Sequence, residues 1–214
     1  MDRRDFLKKA GLGLGAVAVA AAVPASVKAM INHNEKTNKK MKKILIINGS
    51  PRKNGTTASL VNAFSEGARS VGNEVRELYL SSMNIRCCMA CEACSHNGGT
   101  CSIQDDDMHL VNEGFEWADV VVFASPMFWG TLTGQLKTAI DRLYAEYCKL
   151  GHSNFNKQAV LLMTSRGGNA PDSYYHMALD SYHVFTELIG WPDLGTVLGA
   201  GKEAEARALG ASIK

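Results

Sequence analysis

Lys43-Ile44-Leu45-Ile46-Ile47 runs straight into Asn48-Gly49-Ser50-Pro51-Arg52-Lys53-Asn54-Gly55-Thr56-Thr57, and Ala58-Ser59-Leu60-Val61-Asn62-Ala63-Phe64 follows at once. An apolar run, a turn of small polar residues and a helix-compatible segment succeed one another. Such a turn offers backbone N–H groups at a helix start, where the helix dipole adds partial positive charge. Ser50, Thr56 and Thr57 supply hydroxyls, Asn54 an amide, and Arg52 a guanidinium fork. Neither Gly-x-x-x-x-Gly-Lys-[Ser/Thr] nor Gly-x-Gly-x-x-Gly occurs here. A dense ring of donors without those patterns suits a monophosphate. The plainer alternative is a convenient strand-to-helix turn, since Gly, Pro, Asn and Ser are common in turns.

Outward from this turn, strand-like and helix-like segments alternate. Thr56 to Val71 predicts a helix with Leu60, Val61, Phe64 and Ala68 on its buried side. Glu74 to Leu80 alternates as a strand. Asp119 to Ser125 is a continuously apolar strand, as expected in a sheet covered on both faces. The turn Pro126 to Gly130 leads to a helix from about Leu132 to Cys148. Gln158 to Thr164 predicts a fourth strand, followed by Ser165-Arg166-Gly167-Gly168 and a helix from about Asp172 to Ile189. Thr196 to Gly199 is a weaker fifth strand, and Lys202 to Ile213 a closing helix. Asp105-Asp106-Asp107 is expected to cap the helix that runs to about Trp117. The alternation predicts a doubly wound α/β fold with a five-stranded parallel sheet in the flavodoxin-like order 2-1-3-4-5. Ligands of such sheets bind at the carboxyl ends of the strands. Three loops are expected there: Gly49–Thr57, Pro126–Gly130 and Ser165–Gly168.

The chain has 214 residues, enough for one domain with a sizeable core. Its charged fraction of 21% and net charge of +2 give no reason to expect nucleic acid as a partner. Part of that charge lies in Asp2-Arg3-Arg4-Asp5-Phe6-Leu7-Lys8-Lys9, ahead of a weakly apolar run from Ala10 to Val23 and the small residues around Ala29. The pattern predicts a signal peptide over residues 1–29, and its paired arginines resemble a twin-arginine (Tat) signal. A basic helical arm is the competing reading. Export to the periplasm or another extracytoplasmic space is thus expected, with a flexible polar leader over 30–41 and the folded domain over 42–214. That pathway carries folded proteins, which suits a chain that takes up a cofactor in the cytoplasm.

Five of the six cysteines crowd between Cys87 and Cys101, inside an irregular segment from Ser81 to Gln104. Long irregular segments in compact domains are often functional. Cys88, Cys91, Cys94 and Cys101 are spaced so that one loop could wrap an iron–sulfur cubane. Zinc, disulfides and unmetallated thiols remain open on spacing alone. Cys87 reads as a spare neighbour and Cys148 as a small core residue. The histidines form no constellation, and no Ser-His-Asp or paired-carboxylate arrangement stands out. Phe128 and Trp129, flanked by Pro126 and Gly130, could stack on a planar ring or simply serve packing.

Three stretches together resemble the flavodoxin-like NAD(P)H-dependent FMN reductase superfamily, and within it the iron–sulfur flavoproteins. They are Gly49-Ser50-Pro51-Arg52 through Thr57; Cys88 to Cys101, continuing through Asp105-Asp106-Asp107-Met108; and Ala124-Ser125-Pro126-Met127-Phe128-Trp129-Gly130 through Lys137, running into Ile140-Asp141-Arg142. The resemblance covers residues 42 to 214. It implies that Ser50, Arg52, Asn54, Thr56 and Thr57 hold an FMN phosphate. Pro126, Met127, Phe128, Trp129 and Gly130 would line the isoalloxazine, and Ser165, Arg166, Gly167 and Gly168 would close over its other side. Cys88, Cys91, Cys94 and Cys101 would hold a [4Fe–4S] cluster. Phe128 stands where relatives often carry Tyr, which removes a hydroxyl contact to the flavin. The implied activity is that of an FMN-dependent oxidoreductase exchanging electrons with a protein or small-molecule partner, in a dimer or tetramer. A pure electron carrier, and a zinc- or disulfide-stabilised binding protein on the same scaffold, are the alternatives.

Overall fold

The computed structural model describes residues 41–165 and 171–214. The expected signal peptide, the expected leader up to residue 40, and Arg166, Gly167 and Gly168 lie outside the described residues. Five parallel strands form one sheet in the order β2-β1-β3-β4-β5. They are β1 (Lys43–Asn48), β2 (Glu74–Tyr79), β3 (Val120–Pro126), β4 (Gln158–Thr164) and β5 (Asp193–Leu198). The longer helices are α1 (Thr56–Ser70), α3 (Met108–Trp117), α4 (Gly134–Arg142), α5 (Tyr144–Leu150), α6 (His176–Ile189) and α7 (Glu203–Ser212); one turn of helix, α2 (Ala93–His96), lies in the cysteine segment.

Strand geometry divides the core in two, because successive side chains leave a strand on opposite faces. Leu45 and Ile47 join Phe115, Val121, Phe123, Leu136 and Trp191 on one face. Ile44 and Ile46 join Leu60, Phe64, Val122, Val160 and Leu162 on the other. Strands β1, β3 and β4 are therefore buried on both sides, which is why they read as unbroken apolar runs. Helices α1 and α7 pack backbone against backbone. Gly67 faces the Arg207 carbonyl and Gly210 the Phe64 carbonyl, with no room at either for a β-carbon.

The helix expected from Leu132 to Cys148 is divided at Leu143, where ψ flattens to −10°. The Leu143 N–H is shared between the carbonyls of Ala139 and Ile140, which tightens the turn and redirects α5 toward the cysteine segment. The aspartate run does not act as one cap. The Asp106 carboxylate accepts the Met108 N–H, whereas that of Asp107 accepts the Asn84 N–H and that of Asp105 pairs with Arg86. Asp105 and Asp107 are claimed by partners 19 and 23 positions away.

Candidate cofactor site at the carboxyl edge of the sheet

The turn after β1 is built by its own side chains. Asn48 Oδ1 accepts the Ser50 N–H at 2.9 Å, and its Nδ2 donates to Glu77 at 2.8 Å. Ser50 Oγ accepts the Arg52 N–H and donates to the Arg52 carbonyl, closing the turn on itself. Ser50 is thus a buried structural member of the turn as well as part of its wall. Helix α1 begins at Thr56 with no side-chain cap and no acidic residue in its first turn. Its leading N–H groups are free to meet an anion, and nothing nearby on the helix repels one.

Hydrogen bonds tie the hairpin loop to the first loop and to the end of β4. Gly49 N–H donates to the Ala124 carbonyl at 2.8 Å, and Thr133 Oγ1 donates to the Gly49 carbonyl at 2.8 Å. Thr133 also caps α4, and its own N–H donates to Ser125 Oγ. Met127 N–H donates to the Thr164 carbonyl at 2.6 Å. Gly49 is required by this closeness: a β-carbon there would stand 2.6 Å from Leu136 Cβ and 2.6 Å from Thr133 Oγ1.

The first two loops, with Thr164 and Ser165 at the end of β4, line a pocket of 390 Å³, within the range of about 300–1,000 Å³ usual for small-molecule sites. Of the residues expected to bind the cofactor, Ser50, Arg52, Thr56, Thr57, Pro126, Met127, Phe128, Trp129 and Ser165 line it. Asn54 sits on the exposed crest of the turn, and Gly130 faces Met177 instead; neither lines the pocket. Thr164 is an addition. Its hydroxyl lies 2.8 Å from Thr57 Oγ1 and accepts from Thr56 Oγ1 at 3.3 Å. A single threonine at the end of an apolar strand carries no sequence signal of its own.

Phe128 and Thr131 exchange both backbone hydrogen bonds, making a two-residue hairpin. Its central residues have φ of +52° at Trp129 and +78° at Gly130. Glycine accepts that geometry freely, but a bulky residue there is strained, and such strain gathers at functional sites. The hairpin holds the Trp129 ring 99% exposed at the pocket rim, with Phe128 half exposed beside it.

The residues fit FMN. The free helix start, the hydroxyls and Arg52 suit its phosphate. Pro126, Met127, Phe128 and Trp129 offer an apolar wall to its ring. Ser165 Oγ is buried with no partner among the described residues, so a polar ring edge would satisfy it.

The cysteine loop lies apart from this pocket wall. Cys88, Cys91, Cys94 and Cys101 line a groove of 1040 Å³ together with Tyr144, Phe185 and other residues of α4 to α6. Ala90 and Glu92 take left-handed conformations, φ +51° and +58°, which coil the loop. The Ala90 N–H donates to Cys88 Sγ at 3.4 Å, and Cys91 Sγ lies 3.1 Å from Ser102 Oγ. That hydroxyl and the Ala93 backbone hold the Cys91 thiol below its ordinary pKa; burial, then the adjacent Cys148 thiol, pushes Cys94 up. Cys148 is therefore a half-buried neighbour of Cys94 and not a core residue. Cys87 turns aside to Thr138, at 3.5 Å. Among the described residues, no three metal-ligating side chains meet at one point. The donor chemistry of the four thiols fits a cluster, and they share one wall, but they are not drawn together.

A doubly wound parallel sheet with a phosphate-type turn after β1, facing an apolar hairpin across its carboxyl edge, defines a flavodoxin-like protein. Residues 42–198 match the NADPH-dependent FMN reductase family. An iron-sulfur flavoprotein of Archaeoglobus fulgidus is 33% identical over 141 residues, 65% of this chain and 67% of that one. Another, of Methanocaldococcus jannaschii, is 31% identical over 160 residues, 74% and 80% of the respective chains. The NAD(P)H:quinone oxidoreductase of Methanothermobacter marburgensis shares the fold, with a TM-score of 0.63 at 18% identity over 81% of this chain and 100% of that one. The chain belongs to the NADPH-dependent FMN reductase family and is an FMN-dependent oxidoreductase.

Proposed function

We propose that this oxidoreductase couples its flavin to a [4Fe–4S] cluster on Cys88, Cys91, Cys94 and Cys101. The observation that carries the proposal is the shared groove: all four thiols line it, on a loop coiled by strained left-handed residues and with backbone N–H already aimed at sulfur. N–H···S contacts of this kind tune cluster potentials. The relatives described as iron-sulfur flavoproteins support the same reading. FMN supplies two-electron acceptance with single-electron release, and a cluster would carry electrons one at a time.

The chain's own part is binding and orientation. Thr56, Thr57 and the α1 N-terminus would hold the phosphate, Arg52 would neutralise it, and Ser165 would meet the ring edge. The open rim at Phe128 and Trp129 leaves the ring face reachable, which favours a small-molecule or protein acceptor over a sealed carrier. The proposal extends to a homo-oligomer exported by the Tat route, whose electron donor is an extracytoplasmic redox partner.

Anaerobic purification with a visible spectrum and iron and sulfide assays tests the cluster. Broad absorption beneath the flavin bands, with four irons and four sulfides per FMN, is expected. Flavin bands with no iron would reject the cluster and leave the flavoprotein. Rapid turnover of the mature chain with NADPH and no carrier would reject the extracytoplasmic donor.

A further inference from the structure

Arg142 closes α4, 41 positions beyond Cys101 in sequence, yet its side chain is buried against the ends of the cysteine loop. Nη1 donates to the Arg86 carbonyl at 2.9 Å and to Asp106 Oδ2 at 2.7 Å. Nη2 donates to the Ile103 carbonyl at 3.2 Å and to Asp106 Oδ1 at 3.3 Å. Arg86 immediately precedes Cys87, and Ile103 stands two places after Cys101. One guanidinium therefore grips both ends of the loop that carries the four thiols. Asp106 tightens the same knot, because its Oδ2 also accepts the Arg86 N–H at 3.0 Å and its Oδ1 the Met108 N–H.

A buried ion pair is a weak source of stability, since apolar residues of the same volume often serve as well. This one is directed at loop carbonyls, which an apolar pair could not satisfy. Only a planar fork reaches two carbonyls and a carboxylate at once, and arginine does not lose its charge. The remaining donor, Nε, has no partner among the described residues. Arg142 and Cys101 line one polar cavity of 230 Å³, and the Cys101 thiol lies beside the guanidinium.

We propose that Arg142 is the positioning residue of the thiol set: with Asp106 it fixes the neck of the cysteine loop and places a permanent positive charge beside Cys101. The cluster part of this rests on the function proposed above; the neck part does not. When a metal centre is bound, the charge would complement the negative sulfur of Cys101.

The test uses the full chain as wild type and as Arg142→Met, Arg142→Lys and Asp106→Asn. FMN, iron and sulfide are quantified in each, the midpoint potential of any cluster is measured, and amide hydrogen exchange is followed in the iron-free form. Exchange over 87–105 is expected to quicken at least tenfold in Arg142→Met and Asp106→Asn, while the β1 segment 43–48 stays protected and FMN content holds. Iron per chain should fall at least threefold in the same two variants, and any cluster left in Arg142→Met should have a lower potential. Arg142→Lys, which keeps the charge but not the fork, should loosen the neck and retain the potential. Unchanged exchange, iron and potential in all variants would overturn the proposal. So would loss of FMN and of β1 protection together, which would make Arg142 a general fold residue. Iron-free wild type would refute the cluster reading, and the exchange data would still decide the neck.

Discussion

Gly49→Ala should disturb the cofactor site more than any other single methyl group. The new β-carbon would lie 2.6 Å from Leu136 Cβ and 2.6 Å from Thr133 Oγ1. Ordinary contact begins at about 3.5 Å, so the overlap is roughly 1 Å on each side. Neither neighbour can swing away. Leu136 Cβ is fixed to the backbone of α4, and Thr133 Oγ1 both caps that helix and donates to the Gly49 carbonyl. Relief requires the start of α4 to move outward, carrying the hairpin that ends at Thr131. Overpacking of this kind costs about 1–3 kcal/mol of stability. It also shifts one wall of the pocket against the other, and misplacement by about 1 Å can cost on the order of 100-fold in a site that depends on orientation. Urea denaturation and an FMN fluorescence titration read the two effects separately. We expect a stability loss in that range and FMN binding weakened at least tenfold. A variant within about 0.5 kcal/mol of wild type, the usual scatter for surface changes, and with unaltered FMN affinity would show that the first loop and the start of α4 are not locked as described.

Thr57→Val should weaken FMN binding by about tenfold, the lower value for a hydrogen bond to a charged group, and leave riboflavin binding unchanged, because only FMN carries the phosphate. Equal losses for both ligands in competition titrations would place Thr57 elsewhere. Trp129→Gly removes a left-handed φ that costs about 1–2 kcal/mol and returns about 0.5–1 kcal/mol in unfolded-state entropy. Thermal unfolding of the FMN-free chain should therefore show a small gain in stability, while FMN affinity falls; a loss of stability would mean that the exposed ring packs on something. Asp106 has opposing influences. Burial raises its pKa, but Arg142 and the N–H groups of Arg86 and Met108 more than reverse this, so the folded value lies below the ordinary one of about 3.9. Its contribution to stability is then fully present above the unfolded pKa and is lost as pH falls through the folded one. The stability gap between wild type and Asp106→Asn should be constant above about pH 5 and narrow below it, as followed by urea denaturation across pH.

The sheet was legible because β1, β3 and β4 are buried on both faces and therefore apolar throughout. The fifth strand starts at Asp193, earlier than its pattern suggests, because it is an edge strand whose register against β4 shifts between Ala159 and Leu161. Two of the three pocket loops follow from topology alone once the strand order is known, and most of their residues line the pocket; the third lies largely outside the described residues. The parts played by Thr164 and Asn48 are contacts with neighbouring loops or strands, invisible in a linear reading. The same holds for Arg142 and Asp106. Spacing along the chain showed three aspartates before a helix, which is a cap pattern, and only the fold brings a guanidinium from 36 positions away to claim the middle one. Cys148 differs from its expected core placement for the corresponding reason: the chain turns at Leu143 and α5 sets it beside Cys94.

We propose that the turn after β1 and the Pro126–Gly130 hairpin hold FMN by its phosphate and ring together. Cofactor extraction from the purified chain, followed by chromatography against flavin standards and titration of the stripped protein, tests it most directly. One FMN per chain is expected, with rebinding of FMN to the stripped protein and much weaker binding of riboflavin. A stripped protein that binds riboflavin as tightly as FMN, or takes up neither, would contradict it.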